Sequence, residues 1–357
     1  MEGSAIDIII FAPLAPILGV ILFWFIKLLF IESLKFFLDK IRSKHKPLCR
    51  FTNFLGILFQ TICHALGYTV TKSGISDVYL SINYGRVAPK KEKKGMFEWV
   101  SNAFLFIGPF FIPAFLLLLC LFILIPDILQ ITIPTEIVNI KYTFGAQLIS
   151  FGTNLYIYTQ KFFLFLATDL DLLNPGHFGF FLLVIFLGMG IRPSYIGEKK
   201  IDRVDMIYDL KNVWDLIRHK PLYILSLFLI SYNFFYISLI FQSDWYTLAF
   251  TIFGFLSVIS IIAIIIAHML ILLIGATDKI EGKKRYLPYM TLPISYITMR
   301  VLFYYFPNDF KNSVSLFIMM LSTFLVTIFL LRKGDKFKTI FNIKWRKKKT
   351  EEKKDGK

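Results

Sequence analysis

The chain has little of what metal and thiol chemistry needs. Three cysteines (Cys49, Cys63 and Cys120) and five histidines are spread over 357 residues. No two cysteines form a CxxC pair, and two of the three lie inside apolar runs. Neither a disulfide framework nor a cysteine zinc site is expected. Acids are scarce as well: 24 Asp and Glu stand against 40 Lys and Arg, a formal net charge of +16. There is no P-loop, no Gly-rich dinucleotide loop after a strand and no GxSxG elbow. Nucleotide-binding and serine-hydrolase readings therefore have no support. No internal repeat is evident, nor the inverted pair of interrupted helices that would argue for a secondary transporter.

What the chain has is apolar length. With 56% hydrophobic residues and 40 Phe, it carries more apolar surface than the polar residues of a soluble domain can cover. Several runs approach or exceed the ~20 residues needed to cross a hydrocarbon core. Inside lipid the backbone must satisfy its own hydrogen bonds, so these runs are helices. A β-barrel would alternate polar and apolar residues instead. The predicted fold class is all-α, a polytopic transmembrane bundle of seven to nine spans occupying residues 1–332. The spans fall near 8–31, 54–70, 104–125, 144–167, 177–191, 222–241, 248–275, 287–306 and 314–331. Residues 333–357 form a basic tail, expected to be disordered and to lie near anionic lipid headgroups.

The basic residues sit between the apolar runs rather than on a binding face, which argues against nucleic acid as a partner. The bilayer is the expected one. Lys35, Lys40, Arg42, Lys44, Lys46 and Arg50 mark the stretch after the first run as cytoplasmic, putting the N-terminus outside and the C-terminus inside. The N-terminus reads as a retained span rather than a removable signal, and the cell membrane is the default location. Nine crossings fit the charge rule except at 72–101, which would lie outside despite Lys90, Lys91, Lys93 and Lys94. If 54–70 re-enters and 144–167 does not cross, that loop returns inside. Nine crossings is the arrangement adopted, because long loops can violate the rule. Within the loops, Asn83-Tyr84-Gly85 predicts a short β-hairpin between residues 76 and 87. Gly108-Pro109 and Pro113 predict a broken or kinked helix, and 205–218 predicts an amphipathic surface helix.

The residue that stands out is His64, deep in the run 54–70 with Gln60 and Thr61 beside it. A zinc protease needs two histidines one helical turn apart, with a glutamate beside the first as general base. Here the segment reads His64-Ala65-Leu66-Gly67-Tyr68. It resembles the HELGH segment of the site-2 protease family of intramembrane zinc metalloproteases, with Ala65 at the glutamate position and Tyr68 at the second histidine. Gly108-Pro109 is similar to the Gly-Pro step that follows the hairpin in that family. The run Gly188–Val213 is similar to a segment of some bacterial and archaeal relatives. The late Asp-Gly ligand motif of the family has no counterpart, since no Gly follows Asp169 or Asp171.

The resemblance implies a non-catalytic relative that binds a membrane-protein partner, with His64 as the remnant metal position, no catalytic residue and no cofactor. Alanine cannot take a proton from zinc-bound water, and one histidine does not hold zinc. An active protease would need displaced ligands such as His177 and Asp169, with zinc as cofactor. A transporter or channel would need Gln147, Asn154, Lys161, Asn233 and Arg300 to line one cavity. Otherwise His64 is a buried neutral histidine bonded to Gln60 or a carbonyl, and His268 a hydrogen bond between helices. Trp99, Trp214 and Trp245 are expected near interfaces.

Overall fold

Proline sets the start of the first span. The computed structural model describes residues 5–125, 142–196, 202–306 and 310–333. A π-turn, Asp7–Phe11, leads into helix α1, Leu14–Ile41, with Pro13 at its N-cap. Proline offers no N–H to the carbonyl four residues back, so Pro13 leaves Ile9 without its helical donor. The Tyr236 hydroxyl donates to the Ile9 carbonyl at 2.6 Å, and Tyr232 donates to Ile10 at 2.7 Å. Tyr246 donates to the Pro13 carbonyl. Tyr232 and Tyr236 lie on α8 (Pro221–Ile240), and Tyr246 lies in the first turn of α9 (Trp245–Thr277). Tyr236→Phe is expected to cost about 1 kcal/mol in thermal unfolding in detergent. An unchanged midpoint would mean that solvent caps Ile9 equally well.

Helix α1 continues well past residue 31, where its apolar run was expected to end. Glu32, Lys35, Asp39 and Lys40 extend the helix rather than opening a loop, and the buried Lys35 ammonium donates to the Val204 carbonyl at 2.7 Å. After a short turn comes α2, Lys46–Val70, then an antiparallel hairpin of β1 (Ile75–Leu80) and β2 (Gly85–Pro89). This is the hairpin that Asn83-Tyr84-Gly85 predicts. Two helices follow, α3 (Met96–Phe106) and α4 (Gly108–Leu124), bent by 66° at the break. Helix α5, Phe144–Leu164, buries a stripe of Gln147, Phe151, Leu155, Tyr158 and Phe162. A π-turn (Phe165–Asp169), α6 (Pro175–Gly190) and the two-residue strands β3 (Tyr195–Ile196) and β4 (Asp202–Arg203) come next. The predicted surface helix is α7, Met206–His219, whose N-cap Asp205 accepts the Tyr208 N–H at 2.8 Å. The chain closes with α10 (Leu287–Tyr305) and α11 (Lys311–Lys333).

Four of these helices are long and apolar enough to cross a membrane: α1, α8, α9 and α11, or five if α3 and α4 form one broken span. Helices also form at the other predicted runs, but α2, α5 and α10 do not meet that test, and α6 has only 16 residues. The outward faces are apolar. On α8 only Phe235 and Ser238 are buried, and Leu222 is 71% exposed. An uncovered surface of this kind is compatible with lipid around it. Trp214 and Trp245 are exposed, whereas Trp99 is buried and donates its indole N–H to the Leu216 carbonyl.

The chain divides into two compact units. The first is Met1–Phe163 with Leu172–His268, and the second is Leu164–Asp171 with Met269–Lys357, the boundary falling inside α9. In the first, α2 is the hub, packing against α3, α4, α6 and both strands of the hairpin. In the second, α10 and α11 pack along each other, and α11 also meets the π-turn Phe165–Asp169. The basic tail from residue 334 onward lies outside the described residues.

Candidate functional site

One turn of α2 is approached from two sides. Thr61 bonds back to the Ile57 carbonyl at 2.7 Å, and Gly85 of β2 sits so close that a Cβ there would fall 2.2 Å from the Thr61 hydroxyl. Only glycine lets the strand descend this far onto the helix. On the other side, Gly108 meets α2 at Cys63, 3.1 Å from where its own Cβ would stand. His64 follows these contacts, half-buried, with its ring over Tyr68 at a centroid distance of 4.6 Å and 32° between planes. Of the two bonds expected of it, to Gln60 or to a carbonyl, neither is made among the described residues, and the ring contact with Tyr68 is what the structure gives it. Beside His64 remains a cavity of about 30 Å³, lined by residues that include Gln60, Thr61, Gly85, Val87 and Leu105. It has room for a water-sized group and no more.

The break at Ile107–Gly108 is held by cations. Pro109 and Pro113 flank Phe110 on α4. The fully buried Lys27 of α1 donates to the Phe110 carbonyl at 2.8 Å, and its ammonium lies 4.3 Å from the Phe111 ring centroid. Trp24 meets the Phe110 ring edge-on at 5.9 Å, and the Arg192 guanidinium lies 5.4 Å from the same ring. Arg192 in turn binds Asp209 of α7, both side chains 1% exposed. Arg192 Nε donates to Oδ1 at 2.9 Å, while Nη1 and the second carboxylate oxygen have no hydrogen-bond partner among the described residues. Lys35 belongs to the same group, attracted by Asp209, Glu32 and Asp205 and repelled by Arg192. Sequence reasoning missed this core of charge. Its signals were a lone lysine within the first apolar run and an acid on the inward stripe of α7, one heptad before Leu216.

The residues proposed for metal do not assemble a zinc site. Ala65 and Tyr68 leave His64 as one imidazole without a carboxylate, and among the described residues no three His, Cys, Asp or Glu side chains form a group that could hold a metal. His177 lies in the first turn of α6, where its N–H meets the Asn174 cap. Asp169 ends the π-turn in the second unit, its carboxylate accepting from Thr168.

Two of the other polar candidates, Gln147 and Arg300, have local partners. Gln147 accepts from Thr247. Arg300 binds Asp171 at 2.7 Å and Asn312 at 2.6 Å within the second unit, with Tyr296 donating to the same aspartate at 3.1 Å. His268 makes the helix-to-helix bond expected of it, Nε2 to the Ser33 hydroxyl at 3.1 Å. No protein-family model matches this chain, and it has no match among curated proteins or solved structures.

Proposed function

We propose that this chain is a non-catalytic membrane protein, distantly related to site-2-type intramembrane proteases, that acts by binding a membrane-protein partner. One observation carries the reading. The hairpin and the Gly-Pro break close on α2 at Ile57, Thr61 and Cys63, immediately before His64-Ala65-Leu66-Gly67-Tyr68, leaving about 30 Å³ beside His64. The order of parts supports the kinship, and the replaced side chains and closed space speak against hydrolysis. Partner binding is assigned to β1. All six of its residues are exposed, and among the described residues it pairs with no strand but β2, which leaves its outer edge open to a further strand.

In this reading the chain crosses the cell membrane seven to nine times, with the shorter or more polar α2, α5, α6 and α10 held among the longer helices. The N-terminus lies outside and the basic tail inside. The test is elemental analysis of the detergent-purified protein beside a His64→Ala variant. No bound zinc is expected in either; near one zinc per chain, lost in the variant, would overturn the non-catalytic reading. Photo-crosslinking from Tyr79 in intact membranes is expected to give a membrane-protein adduct. Absence of any adduct sinks partner binding at β1.

A further inference from the structure

A second and larger cavity, about 250 Å³, lies where α1 ends and α2 begins. Its floor is built by one side chain. Asn53, 6% exposed, donates to the Ile82 carbonyl at 2.8 Å and accepts from the Ser194 and Tyr195 N–H groups at 2.9 Å each. It thereby ties the hairpin tip and the segment after α6 to α2. Arg42, Lys46 and Arg50 line the cavity, with Asp39 as the one acid of the lining. Asp39 is already shared: the Tyr195 hydroxyl donates to it at 3.4 Å, Arg203, outside the lining, lies 3.7 Å away, and Arg42 itself stands 3.9 Å from it, which leaves Lys46 and Arg50 as the cations without an acid among the described residues. Arg42 is steadied over the Tyr195 ring at 4.4 Å. Lys46 and Arg50 make no ion pair or side-chain hydrogen bond among the described residues. The first turn of α2 opens here as well, adding the positive end of its dipole.

We propose that this cavity binds a phosphate-bearing anion. Three cations around a rigid polar floor, with their one acid already engaged, form an incomplete charge arrangement that a phosphate completes by charge-assisted hydrogen bonds. The space fits a phosphate with a few attached atoms and is below the usual size for larger ligands. The phosphate comes either from the headgroup of an anionic phospholipid, since α1 is long enough to span the bilayer, or from a soluble phosphate compound. The rule that places cations on the inner side of spans accounts for their number. It does not account for their convergence on one built cavity.

The test uses the full chain in mild detergent. Phospholipid retention is read by native mass spectrometry. Stabilisation by inorganic phosphate is read as a melting shift against chloride at equal ionic strength. The variants are Arg42→Gln/Lys46→Gln/Arg50→Gln, the single Arg50→Gln, and a charge-matched control, Lys90→Gln/Lys91→Gln/Lys94→Gln. Wild type and control are expected to respond alike, and the cavity triple variant about tenfold more weakly. Response to phospholipid identifies a headgroup; response to phosphate without retained lipid identifies a soluble source. No response in wild type, or equal loss in the control, overturns the site. If the triple variant does not fold, Arg50→Gln decides: reduced binding at an unchanged melting point supports the site, and unreduced binding overturns it.

Discussion

Asp209→Leu is expected to destabilise the protein by about 3–5 kcal/mol, the usual cost of leaving a buried charge without its partner. The effect is asymmetric. Without Asp209, Arg192 and Lys35 remain as two buried cations that repel each other. Arg192→Leu is expected to cost less, because Asp209 then still faces Lys35. The double replacement, Arg192→Leu with Asp209→Leu, removes opposite charges together and is expected to recover much of the loss, since apolar packing often replaces a buried pair without penalty. The measurement is thermal unfolding of all three variants in one detergent. A double variant no more stable than Asp209→Leu would show that the pair acts through geometry rather than charge.

Gly188→Ala is expected to cost about 3 kcal/mol, at the upper end for overpacking. A Cβ at Gly188 would stand 2.1 Å from the Ala263 carbonyl oxygen of α9, and a backbone atom in a helix cannot swing aside as a side chain can. Helix α6 would have to move off α9, while at Gly190 on its other side a Cβ would fall 2.5 Å from the Leu55 Cβ of α2. Close approach through small residues is how helices associate where lipid removes the hydrophobic drive. The same helix supplies the control: at Gly179 a Cβ would meet nothing within 4 Å, so Gly179→Ala is expected to be neutral or stabilising by up to about 1 kcal/mol. Equal effects at the two positions would remove close packing as the cause.

These two sites show what the sequence can and cannot disclose. Glycines at 188 and 190 mark a packing surface near the end of α6, because small residues in an apolar run let helices approach closely. The hairpin was legible from Asn83-Tyr84-Gly85, and the break from Gly108-Pro109, since turn and helix-breaking chemistry is local. The extension of α1 to Ile41 was not, because Lys35 reads as a loop cation until its partner at Val204 is known. Arg192 and Asp209 were hidden for the same reason. Each has an ordinary surface reading alone, and only folding sets them 17 positions apart in one dry contact. His64 was conspicuous for its type and setting, yet its stacking on Tyr68 was not foreseen: the eye trained on metal ligands counted Tyr68 as a loss rather than as a ring.

The tyrosine caps at the start of α1 impose an order on biogenesis. Ile9 and Ile10 leave the ribosome well before the hydroxyls that complete them, which belong to Tyr236 and Tyr232, more than 220 positions later in sequence. Through most of synthesis the entry of the first helix therefore carries open acceptors, served in the interim by water or headgroups. A segment made before α8 is finished only with it. A nascent chain arrested before α8 emerges would keep this end wet and loosely seated, and its release into a settled position would report the arrival of α8.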